Sequence, residues 1–230
     1  NFIKCALVYS IKPGCIGGHD SLDRPNAWYM QGDYAARFGG INNWFLSENS
    51  DQIRSAMLKI SEATDRIRAG KSSAIDDDVL KKWVENAKSS FDAHVLRFVR
   101  AHPKTDFHMI FPPYSRIRYA QWHQLKLPQA FAHEAMNRYL AELSVMLPNL
   151  YVYGFEDQEF VDNIAYYKDT GHYHYDINSM MLRAIRDGNH LLRPDMIDEY
   201  LKTARSRAHE FNLLGLGDMI DAYLQHGEEL

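Results

Sequence analysis

The chain has 230 residues, 46% of them hydrophobic and 24% charged, the proportions of an ordinary globular protein with enough apolar material for a core. Its formal net charge is −4 with no long basic run, which argues against nucleic acid as a partner. No segment reaches the roughly 18 apolar residues that a membrane span requires. Eleven histidines bring the charge toward neutral or positive below about pH 6. The two cysteines, Cys5 and Cys15, sit in no zinc-type spacing; they fit either one disulfide closing a short loop or two buried thiols.

Residues 2–11 are apolar and fit a strand or a short helix, broken by Pro13-Gly14 and Gly17-Gly18. Residues 12–48 are rich in Gly, Asn, Asp and aromatic side chains, including Trp28, Tyr29, Tyr34, Phe38, Trp44 and Phe45. That mixture predicts a long ordered loop region, since a flexible linker would lack the aromatics. Ile53, Met57, Ile60, Ala63 and Ile67 then recur at helical spacing after Ser50 or Asp51 as a cap, and Gly70 ends the helix. A second helix is expected from about Asp77 to His102, with Leu80, Val84, Ala87, Phe91, Val95 and Val99 on one face and Pro103 as its stop.

Asp106 to Phe111 predicts a short buried strand that ends at Pro112-Pro113-Tyr114-Ser115. A third helix is expected over Pro128–Met146 and a second strand over Leu150–Phe155. Helix, strand, helix, strand is the pattern of a parallel α/β sheet, in which ligands sit beyond the carboxyl ends of the strands. Asp176 is the expected N-cap of a helix carrying Ile177, Met180, Met181 and Ile185. Two further helices, near 194–211 and 216–226, read as an appendage, with Pro194 in the first turn of the former. The expected division is an α/β domain over 1–190 and a C-terminal helical extension over 191–230.

The run from Tyr166 to Asp176 holds two histidines, two aspartates and four tyrosines in eleven residues. An acid three residues before a histidine can fix the tautomer of the imidazole and make it a general base, so Asp169 and His172 are candidate catalytic residues. Gly171 is expected to permit the backbone shape of the loop. Alternatively, His172, His174 and Asp176 alternate along the chain, share one face of a strand, and could hold a metal. Arg116 and Arg118 are candidates for an anionic group. Trp28, Tyr29, Trp44, Phe45, Tyr166, Tyr173 and Tyr175 fit either sugar-stacking platforms or packing.

Tyr166-Tyr167-Lys168-Asp169-Thr170-Gly171-His172-Tyr173, followed by a helix with Asn178, resembles the last block of the SGNH/GDSL hydrolase superfamily. The similarity is to a bacterial branch connected with cell-surface polysaccharide and envelope assembly, and Phe111-Pro112-Pro113-Tyr114-Ser115 matches a second element of that branch. Together the elements cover roughly residues 78–188. The resemblance implies a three-layer α/β/α, flavodoxin-like fold, possessing a parallel sheet and Ser-His-Asp ester hydrolysis or O-acyl transfer on an acylated glycan, without a cofactor. It maps the acid and base onto Asp169 and His172, makes Tyr114, Ser115 and Tyr173 candidates for substrate contact, and implies a periplasmic or envelope setting, a cytoplasmic one staying open.

The family's serine follows its first strand in a Gly-Asp-Ser-like turn, and the nearest match is Gly18-His19-Asp20-Ser21-Leu22 with an inserted histidine. Ser21 is therefore the candidate nucleophile. Two alternatives stay open: the serine and first strands precede Asn1, or the chain is a carbohydrate-binding or assembly protein that lacks one. The metal alternative resembles the His-x-His-x-Asp core of metallo-β-lactamase-like hydrolases, which expects a histidine where this chain has Ile177.

Overall fold

The computed structural model of the protein describes residues 33–71, 73 and 76–226. Cys5, Cys15, Ser21, Trp28, Tyr29 and the apolar stretch 2–11 lie outside the described residues. Two short helices, α1 (Asp33–Ala36) and α2 (Ile41–Phe45), occupy part of what the sequence predicts as loop. Helix α3 (Asp51–Arg68) has Ser50 at its N-cap position and buries Ile53, Met57, Ile60 and Ala63, the stripe its spacing predicts.

The long second helix is continuous but not uniform. Asp76 caps α4 (Asp77–Phe91), its side chain accepting from the Asp78 amide at 2.8 Å. A π-helical turn over Asp92–Leu96 then leads into α5 (Arg97–Ala101). The wider turn rotates the inward face, so Leu96 and Val99 are fully buried while Val95 is only partly so. Upstream, Leu80, Val84, Ala87 and Phe91 are half-buried, so α4 lies on the surface.

Strand β1 (Phe107–Ile110) leads through Pro112 and Pro113 into α6 (Arg116–Gln124), then α7 (Pro128–Met146) and β2 (Leu150–Tyr153). The two strands pair in parallel, Phe107 opposite Leu150 and Ile110 opposite Tyr153. Phe111 extends the ladder by donating to the Tyr153 carbonyl at 2.9 Å; the next residue is a proline with no N–H to offer. Among the described residues the sheet has these two strands, fewer than a doubly wound sheet has.

Side chains alternate across the sheet. Leu150 and Val152 share a core with Leu96, Val99, Leu140 and Leu143, and Phe107 and Met109 pack onto it. On the opposite face, Tyr153 and the adjoining Phe155 meet Ile177, Met181 and Ala184 of α8 (Tyr175–Asp187). Helices therefore cover both faces of this small sheet. Asp176 is not the cap of α8: the helix starts one residue earlier, and His174 takes that place, its ring nitrogen accepting from the Asp176 amide at 3.4 Å.

The last helices are α9 (Ile197–Glu210) and α10 (Leu213–His226). Pro194 precedes α9 instead of entering its first turn. The expected division at residue 190 coincides with no break in packing. Leu192, Ile197, Tyr200 and Leu201 belong to the same core as Leu150 and Val152. Helix α10 packs on α3, and Gly217 lets them approach, for a Cβ there would sit 2.5 Å from the Thr64 hydroxyl. Trp44, Met57, Ile60, Ile117, Leu213 and Ile220 form a second, helical core beside the sheet. No helix among the described residues is long and apolar enough to cross a membrane.

Candidate active site

The Tyr166–His174 segment folds back on itself as a tight hairpin. Tyr167 and Tyr173 form an antiparallel bridge, the Lys168 amide donates to the His172 carbonyl at 3.1 Å, and the His174 amide donates to the Tyr166 carbonyl at 2.7 Å. Asp169-Thr170-Gly171 is the tip. Asp169 Oδ1 accepts from the Gly171 and His172 amides at 2.8 and 2.9 Å, and Oδ2 lies 2.7 Å from His172 Nδ1. An ionised carboxylate only accepts, so Nδ1 carries the ring proton, and in the neutral ring the lone pair is on Nε2. The Asp169 side chain is 10% exposed and the His172 side chain 57%. The acid is thus held inside while the imidazole faces solvent, the arrangement that a base with an orienting acid requires.

The hairpin is anchored at the carboxyl end of β1, where a ligand is expected on such a sheet. The fully buried Trp44 donates its indole N–H to the Tyr167 carbonyl at 3.0 Å, and the Tyr167 hydroxyl donates to the Pro113 carbonyl at 3.0 Å. Burial raises the Tyr167 phenol well above its ordinary pKa, so it remains a donor. Ser115 donates both its hydroxyl, at 2.9 Å, and its amide, at 3.2 Å, to the Thr170 carbonyl. Two elements 55 residues apart in the chain are thereby brought together. Lys168 is buried beside the pair; burial lowers its ammonium pKa, the Asp169 carboxylate opposes that, and Arg37 adds to it.

His172, Asp169 and Thr170 line a cleft of about 550 Å³ with Gln52, Ser55 and Lys59 of α3 and Arg118, Gln121 and Trp122 of α6. The α3 and α6 residues do not follow from the sequence reading, apart from Arg118. One signal was available: Gln52, Ser55 and Lys59 fall on one face of α3 at spacings of three and four.

The other candidate residues fall in different settings. Ser115 is 1% exposed with its hydroxyl engaged, so it positions the hairpin and does not face a ligand. Tyr114 is half-buried behind Arg118, the guanidinium carbon 4.4 Å from its ring centre. Tyr173 is half-buried between the helical core and the α8 side of the sheet. Trp44 is core, and Phe45 stacks on Tyr223 at 4.1 Å, whereas Tyr166 and Tyr175 are exposed. Arg116 is no solvated anion site. It is 1% exposed and bonds Asp162 at 2.5 Å and the Glu156 carbonyl at 2.7 Å.

Gly171 also acts otherwise than expected, because its φ is not in the left-handed region. A Cβ there would lie 2.9 Å from Arg118 Nη2, so glycine leaves room for the guanidinium. Nor are His172, His174 and Asp176 brought together as metal ligands. His172 turns Nδ1 to Asp169, His174 turns its own Nδ1 to Asp176 at 3.2 Å, and no group of three His, Cys, Asp or Glu among the described residues has metal-binding geometry. Ser21 lies outside the described residues. The chain matches no family model, no curated protein and no solved structure.

Proposed function

We propose that this chain is an SGNH-like esterase or O-acyltransferase acting on an acylated glycan, with His172 as general base and Asp169 as its orienter. The observation that carries the reading is the 2.7 Å contact of the buried Asp169 carboxylate with Nδ1 of an imidazole that faces a cleft. The parallel strands with helices on both faces support an SGNH-like three-layer arrangement as the finer description of the fold. Resemblance to the polysaccharide-associated branch supports the substrate class and a role at the cell envelope.

The chemistry runs in two displacements. Nε2 of His172 takes the proton of a serine hydroxyl, with Ser21 the candidate in this chain, while the serine oxygen bonds to the acyl carbon. The sugar oxygen then leaves with that proton. Water in hydrolysis, or a second hydroxyl in transfer, attacks the acyl-serine and gives its proton to the same nitrogen, which passes it to the serine oxygen as the acyl–serine bond breaks. Asp169 remains a carboxylate throughout and stabilises the imidazolium that forms.

The test is acetyl-ester turnover by the full chain and by its His172→Ala variant. General-base loss predicts a fall of about 10²- to 10⁴-fold. Equal turnover by the two proteins refutes the assignment, and glycan binding by a wild type that turns over no ester favours a binding protein on the same fold.

A further inference from the structure

Arg118 is a half-buried guanidinium in the cleft with no carboxylate bonded to it among the described residues. Its one hydrogen bond there is from Nη2 to the Thr170 hydroxyl at 3.1 Å, so Nε and Nη1 have no acceptor among the described residues. Several other arginines are paired, Arg116 and Arg207 with Asp162, Arg205 with Glu134 and Arg68 with three aspartates, whereas those without a carboxylate, such as Arg54, Arg97, Arg183 and Arg193, are exposed. Lying over the Tyr114 ring fixes the Arg118 plane without neutralising it, and Gly171 clears the space at its tip. Thr170 and Gly171 sit between Asp169 and His172, and Arg118 and His172 line the same cleft. Lys59, exposed on α3, also lines the cleft and is the second cation there among the described residues. Asp169 is the one carboxylate in that lining among the described residues, and it is already committed to His172 and two amides. Gln52, Gln121 and Trp122 supply neutral polar and aromatic surface suited to a sugar.

We infer that the cleft selects a glycan bearing an anionic group, a carboxylate or a phosphate, next to the reacting position, and that Arg118 is the residue that binds it, with Lys59 adding long-range attraction. This rests on the functional reading above for the identity of the reacting position, but not for the binding itself. A planar guanidinium whose Nε–H and Nη1–H donors have no acceptor among the described residues can still donate to the oxygens of either anion.

The experiment compares three esters with the full chain: an acetylated galacturonate oligomer, an acetylated hexose phosphate and an acetylated neutral xylo-oligomer. Calorimetric Kd values for the de-esterified compounds are measured in parallel. The expected result is higher kcat/KM and tighter binding for an anionic compound than for the neutral one, and a preference that weakens with added salt. Arg118→Gln should lower the anionic-to-neutral ratio on the order of tenfold or more, Arg118→Lys should restore part of it, and Lys59→Gln should lower it less. Lys59 is exposed on α3, so that variant keeps the test open if Arg118→Gln misfolds. Whichever anion is preferred identifies the anion class. Equal Kd for charged and neutral compounds, with ratios unmoved by the Arg118 and Lys59 variants, overturns the inference and leaves His172 untouched. Turnover independent of His172 instead overturns the catalytic reading, while the Kd ratios still decide this one.

Discussion

Of the three carboxylate–imidazole pairs among the described residues, two differ most in where the ring points. Asp169 and His172 are three residues apart on a hairpin tip, and the imidazole is 57% exposed over a cleft. Glu156, just past β2, bonds His133 on α7, and there the imidazole is 17% exposed. Phe111, Tyr119 and Trp122 surround the His133 ring at 5.3, 6.0 and 5.6 Å between centres. In the first pair the nitrogen remote from the acid is presented outward. In the second, the acid holds Nε2 and the ring, Nδ1 with it, is enclosed in an aromatic box. The same two functional groups make a candidate base in one place and a core fastening in the other, and solvent access to the free nitrogen decides between them.

The largest stability effect should come from breaking the enclosed pair. His133→Ala leaves the Glu156 carboxylate buried without its partner, at a cost of about 3–5 kcal/mol. A denaturant titration checks this, and a shift as small as that of a surface substitution would remove the distinction between the two pairs.

A third imidazole, His123, sharpens the comparison, since it is half-buried with no carboxylate bonded to it among the described residues. Burial, with His209 and Arg205 adding to it and Glu134 opposing, lowers the pKa of His123 from 6.5 to about 4. Between those values the unfolded chain holds the proton and the folded chain does not. The contribution of neutral His123 to stability is therefore fully present above pH 6.5 and is lost as pH falls toward 4. Its ceiling is about 3 kcal/mol, reduced by the water the ring still meets. Stability measured across that window should flatten in His123→Gln relative to the wild type; parallel curves would contradict the burial argument.

The smallest effect concerns how the exposed pair is held. Ser115→Ala removes one of two bonds to the Thr170 carbonyl and should cost about 1 kcal/mol, the amide bond persisting. A positioning residue lowers stability and kcat together. A rise in KM at unchanged stability would mean that Ser115 touches substrate after all.

How much of this was legible in the sequence follows the same local-versus-distant divide. The Asp169–His172 contact was readable because both residues lie in one turn, and α7 because Pro128 opens an uninterrupted helix-forming run. The Glu156–His133 pair was not, since the residues are 23 apart on different elements. Helix α6 went unread because its buried side is Arg116, Ile117, Tyr119 and Ala120, which hides the apolar period behind a buried charge. The π-helical turn left no composition signal, so the shift of burial from Val95 to Leu96 was invisible. The cleft itself exists only once α3 and α6 are packed together, although the Gln52, Ser55 and Lys59 face hinted at one wall.

The measurement closest to the central claim is paired. Ester turnover per folded molecule and the denaturation midpoint are determined for the wild type, His172→Ala and His133→Ala. His172→Ala should lose turnover by about 10²- to 10⁴-fold at a midpoint within the small range of surface substitutions. His133→Ala should lose stability and keep turnover per folded molecule. Turnover by His172→Ala equal to the wild type, or a loss of turnover confined to His133→Ala, would contradict the account.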